Sequence, residues 1–135
     1  MTPLLTEARL EAEGERLGRE LAPGAVVWLT GELGAGKTTL ARAIARGLGV
    51  REPASSPTYG LVNHYQGRRG AVYHVDCYRL RHPDEAAELD WATLTGADAL
   101  LIEWPERAGP WAPVPTCRVH LAHVAHETAR AVTIA

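Results

Sequence analysis

Gly31, Gly36, Lys37 and Thr38 stand in the spacing GxxxxGK[ST], and Glu32-Leu33-Gly34-Ala35 fills the gap to complete a phosphate-binding P-loop pattern. Lys37 is the single lysine of a chain with thirteen arginines. A guanidinium fork serves at ordinary cationic positions, but bridging two phosphate groups inside a tight backbone loop calls for a compact ammonium on a flexible stem. The implied chemistry is the binding of a nucleoside triphosphate. Backbone N–H groups of residues 34–39, Gly34, Ala35 and Thr39 included, would point at the phosphates, with the positive end of a helix dipole behind them. Hydrolysis would further need an acid near a magnesium ion and a group that positions water. Two acids close apolar runs. Glu103 follows Leu100-Leu101-Ile102 and is the first candidate for the magnesium shell, beside the Thr38 hydroxyl; Asp76 follows Val72-Tyr73-His74-Val75 and would hold the metal through water or orient the attacking water.

These side chains need elements to carry them. Residues 25–30, Ala-Val-Val-Trp-Leu-Thr, read as an apolar strand, and residues 38–49 as a helix stopped by glycine, so strand, glycine-rich loop and helix come in the order a P-loop requires. Upstream, Thr6 can cap a helix to about Leu21, with Leu10, Leu17 and Leu21 on one stripe and Gly24 ending it. Residues 50–57 form a loop holding both serines of the chain. Residues 58–65 and 71–77 flank the turn 66–70 and predict a β-hairpin, so the sheet must be mixed. Residues 83–89 are a short helix candidate, 99–102 a buried strand, 105–115 a proline-rich loop, and 117–124 with 129–134 a closing hairpin. The expected fold is α/β, a single P-loop NTPase-like domain over residues 1–135 with a mixed parallel/antiparallel sheet flanked by helices. In it, the segment Ser55-Ser56-Pro57-Thr58-Tyr59 falls where a switch would lie, and a hydroxyl of Ser56 or Thr58 could report loss of the γ-phosphate.

Composition narrows the function classes. At 135 residues there is no room for a second substrate domain, so action on a large substrate would need a partner chain. A formal net charge of −2 provides no broad basic surface for nucleic acid, and the cluster 66–70 with Arg68 and Arg69 reads as a solvated hairpin turn. Guanine recognition by Asn-Lys-x-Asp is excluded because the only asparagine is Asn63 and the only lysine is Lys37, which makes ATP the expected nucleotide. Cys77 and Cys117 lack zinc-site spacing and read as buried thiols; the run His120, His123 and His126 invites a metal reading, but residues 117–121 look like a strand, whose period sends His123 to the opposite face from His120. No run is long and apolar enough to span a bilayer, and the expected location is the cytoplasm.

Four motifs in order, Gly31 to Thr39, Ser56-Pro57-Thr58-Tyr59, His74-Val75-Asp76-Cys77-Tyr78-Arg79-Leu80 and Ile102-Glu103-Trp104-Pro105-Glu106, resemble the TsaE (YjeE) family. The resemblance implies a slow bacterial ATPase needed for the threonylcarbamoyl modification of the adenosine beside the anticodon in tRNAs reading codons that start with A. It implies docking on TsaD-like and TsaB-like subunits, with tRNA reached only through that complex. Carried over by motif, Leu33 to Thr38 bind the phosphates, Thr38 and Glu103 hold magnesium, Asp76 is needed for hydrolysis and Trp104 lies beside the nucleotide. By position relative to the motifs, Glu7, Glu106 and Arg130 also line the nucleotide site. Two other readings fit the residues: a small-molecule kinase, and a nucleotide sensor whose ATP-bound form docks and whose hydrolysis is incidental.

Overall fold

The structure, a computed structural model, describes residues 4–5, 7–32, 36–51, 61–123 and 130–135. Seven strands form one sheet: β1 (Leu4–Leu5), β2 (Ala25–Gly31), β3 (Val62–Gln66), β4 (Ala71–Asp76), β5 (Ala99–Glu103), β6 (Cys117–His123) and β7 (Arg130–Ile134), in the order β1-β7-β6-β2-β5-β4-β3. In the centre β2 runs parallel to both β5 and β6, and β4 runs parallel to β5. The outer pairs β3–β4, β6–β7 and β1–β7 are antiparallel. The mixed sheet expected from the hairpin after the P-loop helix is therefore present.

Every residue of β5 is buried, which explains why Ala-Leu-Leu-Ile shows no polar alternation before Glu103: a parallel strand covered on both faces favours a near-continuous apolar run. On one face Val27, Leu29, Val72, Leu101, Val119 and Leu121 pack under α1 (Glu7–Glu20) and α2 (Lys37–Gly47). On the other, Val26, Val75, Leu100 and Ile102 meet Leu80, Ala86, Leu89, Leu94 and Ala108. Leu10 and Leu21 of the expected stripe are buried and Leu17 packs beside them; Thr6, the proposed cap, is outside the described residues.

Helices α1 and α2 touch through glycine. A Cβ on Gly18 would lie 2.2 Å from the Ile44 carbonyl oxygen, and one on Gly47 would lie 2.1 Å from that of Glu15. The close crossing seats α2, and with it Lys37 and Thr38, against the sheet. Gly18→Ala is expected to force the helices apart and destabilise the fold by about 1–3 kcal/mol, the usual cost of overpacking. A urea midpoint equal to that of the wild type would show that the crossing yields freely.

Two expectations need correction, and one strand was not anticipated. Residues 105–115 are not simply a loop: Pro105–Trp111 is a 3₁₀ segment kinked at Gly109 (φ 57°). Pro105 begins it because its fixed φ suits a helical first turn, and buried Ala108 holds it down. The short helix candidate is a 3₁₀ turn, Pro83–Glu88, closed by reciprocal bonds between His82 and Glu85, and a further helix, α3 (Trp91–Thr95), follows, capped by Asp90. The first strand, β1, is two residues long and pairs only with β7 at the far end of the chain, so local pattern carried no signal for it. The turn at 66–70 is tied down by Arg69, whose Nε donates to Asp98 at 3.2 Å.

Candidate nucleotide site

The parallel register sets the site. Asp76 at the end of β4 lies opposite Glu103 at the end of β5, and Glu103 lies opposite Leu29 two residues before the end of β2. Acids from two strands thus meet beside the loop after the third, at the carboxyl ends of parallel strands, where open α/β sheets place their ligands. Alternation along the strands puts Asp76, His74 and Val72 on one face of β4 and Glu103 and Leu101 on the same face of β5, the face covered by α2.

From above, α2 begins at Lys37, preceded by Gly36 with φ 104°. That left-handed conformation is costly for any residue with a Cβ, which accounts for glycine at this point of the motif. Gly31 is fixed by space as well, since a Cβ there would sit 2.0 Å from the Leu121 carbonyl oxygen of β6. Lys37 is buried, and its Nζ donates to the carbonyls of Gly31 (2.8 Å) and Glu32 (2.7 Å) while resting 4.5 Å from the Trp104 ring centroid. Burial pushes the ammonium below the usual lysine range, and the carboxylates of Glu103, Glu106, Asp76 and Glu32 partly offset this. The Thr38 hydroxyl donates to the Glu103 carboxylate, 3.0 Å from each oxygen.

A cavity of about 290 Å³ is lined by Gly36, Lys37, Thr38, Thr39, Asp76, Tyr78, Glu103 and Trp104. Its outer wall is aromatic: the Tyr78 and Trp104 rings lie 5.2 Å apart, and the Arg107 guanidinium sits 4.9 Å from the first and 5.2 Å from the second. Trp104 has φ 56°, the one positive value outside glycine among the described residues, so its placement over Lys37 is held at a backbone cost. A second polar cleft of about 500 Å³, which Arg42, Asn63, Tyr65, His74 and Arg79 help to line, adjoins the first through Thr38, Asp76, Tyr78 and Glu103.

Lys37, Thr38, Thr39, Gly36, Asp76, Glu103 and Trp104 are therefore brought together as the sequence suggests. Glu106 is exposed and does not line the cavity; it acts on Lys37 only through its charge, because Pro105 turns the chain away from the strand ends. Leu33, Gly34, Ala35 and Thr58 lie outside the described residues, as do the side chains of Glu7 and Arg130. Sequence reasoning gave no role to Tyr78 or His74, although His74 stands two residues before Asp76 and a period of two puts both on one face. Cys77 is buried, and desolvation with the nearby charges of Asp76, Glu106 and Glu103 pushes its thiol up to about 12, so it is no nucleophile. Among the described residues no group of three or more histidines, cysteines and acids is arranged to hold a metal ion.

Burial raises the Asp76 carboxyl above the ordinary aspartate range; Glu103 pushes the same way, while the Tyr78 N–H bond at 3.0 Å, His74 and Lys37 oppose it. A carboxyl with a raised folded-state pKa costs the fold stability as pH climbs from its unfolded value, 3.8, through the folded one. Asp76→Asn keeps the Oδ1 acceptor and is expected to melt higher than the wild type at neutral pH, with the gap closing below pH 3.8. Melting curves across that window check the sign, and a gap that widens in acid would contradict it.

Strand, glycine loop and helix, with lysine and threonine opening the helix and acids on two neighbouring strands, define a P-loop-type fold with its site at the strand ends. The family described as "Threonylcarbamoyl adenosine biosynthesis protein TsaE" matches residues 4–132. The chain belongs to the TsaE family. Proteins named tRNA threonylcarbamoyladenosine biosynthesis protein TsaE are similar to it: that of Nostoc sp. is 40% identical over 115 residues, spanning 82% of this chain and 70% of the relative. That of Treponema pallidum is 37% identical and spans 90% of each chain. The crystal structure of Bacillus subtilis YdiB superposes with a TM-score of 0.74 at 26% identity, covering 99% of this chain and 86% of the other.

Proposed function

We propose that this protein is a slow magnesium-dependent ATPase of the cytoplasm that supports threonylcarbamoylation of the adenosine next to the anticodon in tRNAs reading codons that start with A, by acting on a complex of TsaD-like and TsaB-like subunits. The observation that carries the reading is the convergence of Lys37, Thr38, Asp76 and Glu103 on one 290 Å³ cavity. Phosphate groups suit it because Lys37 Nζ is satisfied by two loop carbonyls, weak partners that phosphate oxygens can displace. Magnesium suits it because a hydroxyl and a carboxylate stand 3.0 Å apart with hard oxygen donors. Thr38 and Glu103 would hold the ion, which when bound neutralises charge on the β- and γ-phosphates.

The remaining work falls to the chain itself. Lys37 spans the phosphates and stabilises charge that develops as the γ-phosphoryl group leaves. Asp76, half-buried beside Glu103, orients the water whose oxygen bonds to the γ-phosphorus as the bond to the bridging oxygen breaks. Tyr78 and Trp104 restrict water at the mouth. With a net charge of −2, the protein has little means to hold tRNA alone, which supports reaching it through partners. Among the described residues, no helix is long and apolar enough to cross a membrane.

The test is ATP turnover with magnesium, alone and with TsaD and TsaB subunits. The proposal expects turnover to rise with the partners. Turnover indifferent to them, or phosphate transferred to a metabolite acceptor, would favour a kinase instead.

A further inference from the structure

We infer that His74 is a positioning residue that fixes the orientation of the Glu103 carboxylate, so that one oxygen is held away from the cavity and the other is presented to it. The inference rests on the reading of Glu103 as a magnesium ligand. Thr38 donates to Glu103 at 3.0 Å from each oxygen, a symmetric grip that leaves the carboxylate free to choose which oxygen it turns outward. His74 breaks that symmetry: its Nε2 lies 2.5 Å from Oε2 and is not paired with Oε1.

Both groups are almost wholly buried, His74 at 4% and Glu103 at 3% exposure, and meet at the inner wall of the second cleft. Glu103 receives side-chain hydrogen bonds only from Thr38 and His74 among the described residues. The Thr38 hydroxyl belongs to the ligand side of the site, whereas His74 approaches from the sheet, where its backbone pairs with Leu101 of β5 and not with Glu103. The imidazole must therefore reach forward along the strand to meet the carboxylate. A position between Val72 and Asp76 on the face that packs Leu101 and Val27 would be filled at lower desolvation cost by an aliphatic side chain. An imidazole there is explained by the carboxylate that it orients, in the way outer-shell partners commonly fix a metal's ligands.

The experiment measures Mn²⁺ binding by electron paramagnetic resonance with ADP present, so that no turnover is involved, for wild type, His74→Leu, His74→Gln and Glu103→Gln, each verified as folded by circular dichroism. ADP affinity in chelator is measured alongside. His74→Leu is expected to weaken Mn²⁺ binding about 10–100-fold with ADP affinity in chelator unchanged. His74→Gln, which keeps an N–H donor near Oε2, is expected to recover most of it. Should the leucine variant not fold, His74→Asn, whose shorter amide stops short of Oε2, replaces it with the same outcomes. Wild-type Mn²⁺ affinity in His74→Leu, or an equal loss in the leucine and glutamine variants, would overturn the inference while a loss in Glu103→Gln left the metal reading standing. Wild-type affinity in Glu103→Gln would overturn both.

Discussion

Lys37→Ala is expected to reduce ATP turnover by at least about 100-fold, the scale of losing one preorganised donor to charge that develops in the transition state. It should also weaken nucleotide binding, since in the proposed site the ammonium would make charge-assisted bonds to the same phosphates in the ground state. The fold should tolerate the change. Lys37 is buried at a cost, its ammonium held below the ordinary lysine range by desolvation, and its two partners are carbonyls of the loop itself. Phosphate release and calorimetric titration with a non-hydrolysable analogue would separate the two effects, with the melting temperature as control. Turnover within tenfold of wild type would mean that phosphate is bound elsewhere. Lys37→Arg is not a conservative control: the cavity wall at Trp104 lies 4.5 Å from Nζ, too close for a planar guanidinium in the same place.

Glu103→Gln is expected to lower turnover by about 100-fold or more while leaving ADP affinity in chelator near that of wild type, because the change removes the carboxylate's charge and keeps its shape. The amide oxygen can still accept from Thr38, so the strand end and α2 stay in register. Excess magnesium or manganese should recover part of the activity. Full activity at low magnesium in this variant would move the metal shell to Asp76, whose carboxylate belongs to the next strand and lines the same cavity.

Much of this site was legible because its parts are local. The P-loop pattern, the apolar runs ending in Asp76 and Glu103, and the hairpin around residues 66–70 each lie within a few residues of one another. Where reasoning failed, the cause was long-range. Pro105–Trp111 turns helical because Trp104 adopts a left-handed backbone and Ala108 finds a buried place against the sheet, neither of which proline count reveals. Glu106, placed near the nucleotide by its position relative to the motifs, sits beyond that turn and does not line the cavity.

What the sequence by itself determined is the chemistry available: one lysine, in one glycine-rich loop, with a hydroxyl beside it and two acids at strand ends. Spacing along a chain specifies such local features because glycine, lysine and strand periodicity act over a few bonds. Only the tertiary structure decided which groups meet. The parallel register of β4, β5 and β2 brings Asp76, Glu103 and the loop together, and the close crossing of α1 on α2 seats Thr38 over Glu103. It also places the imidazole of His74 against that carboxylate, a pairing across 29 positions that depends on which strands the buried faces select as neighbours.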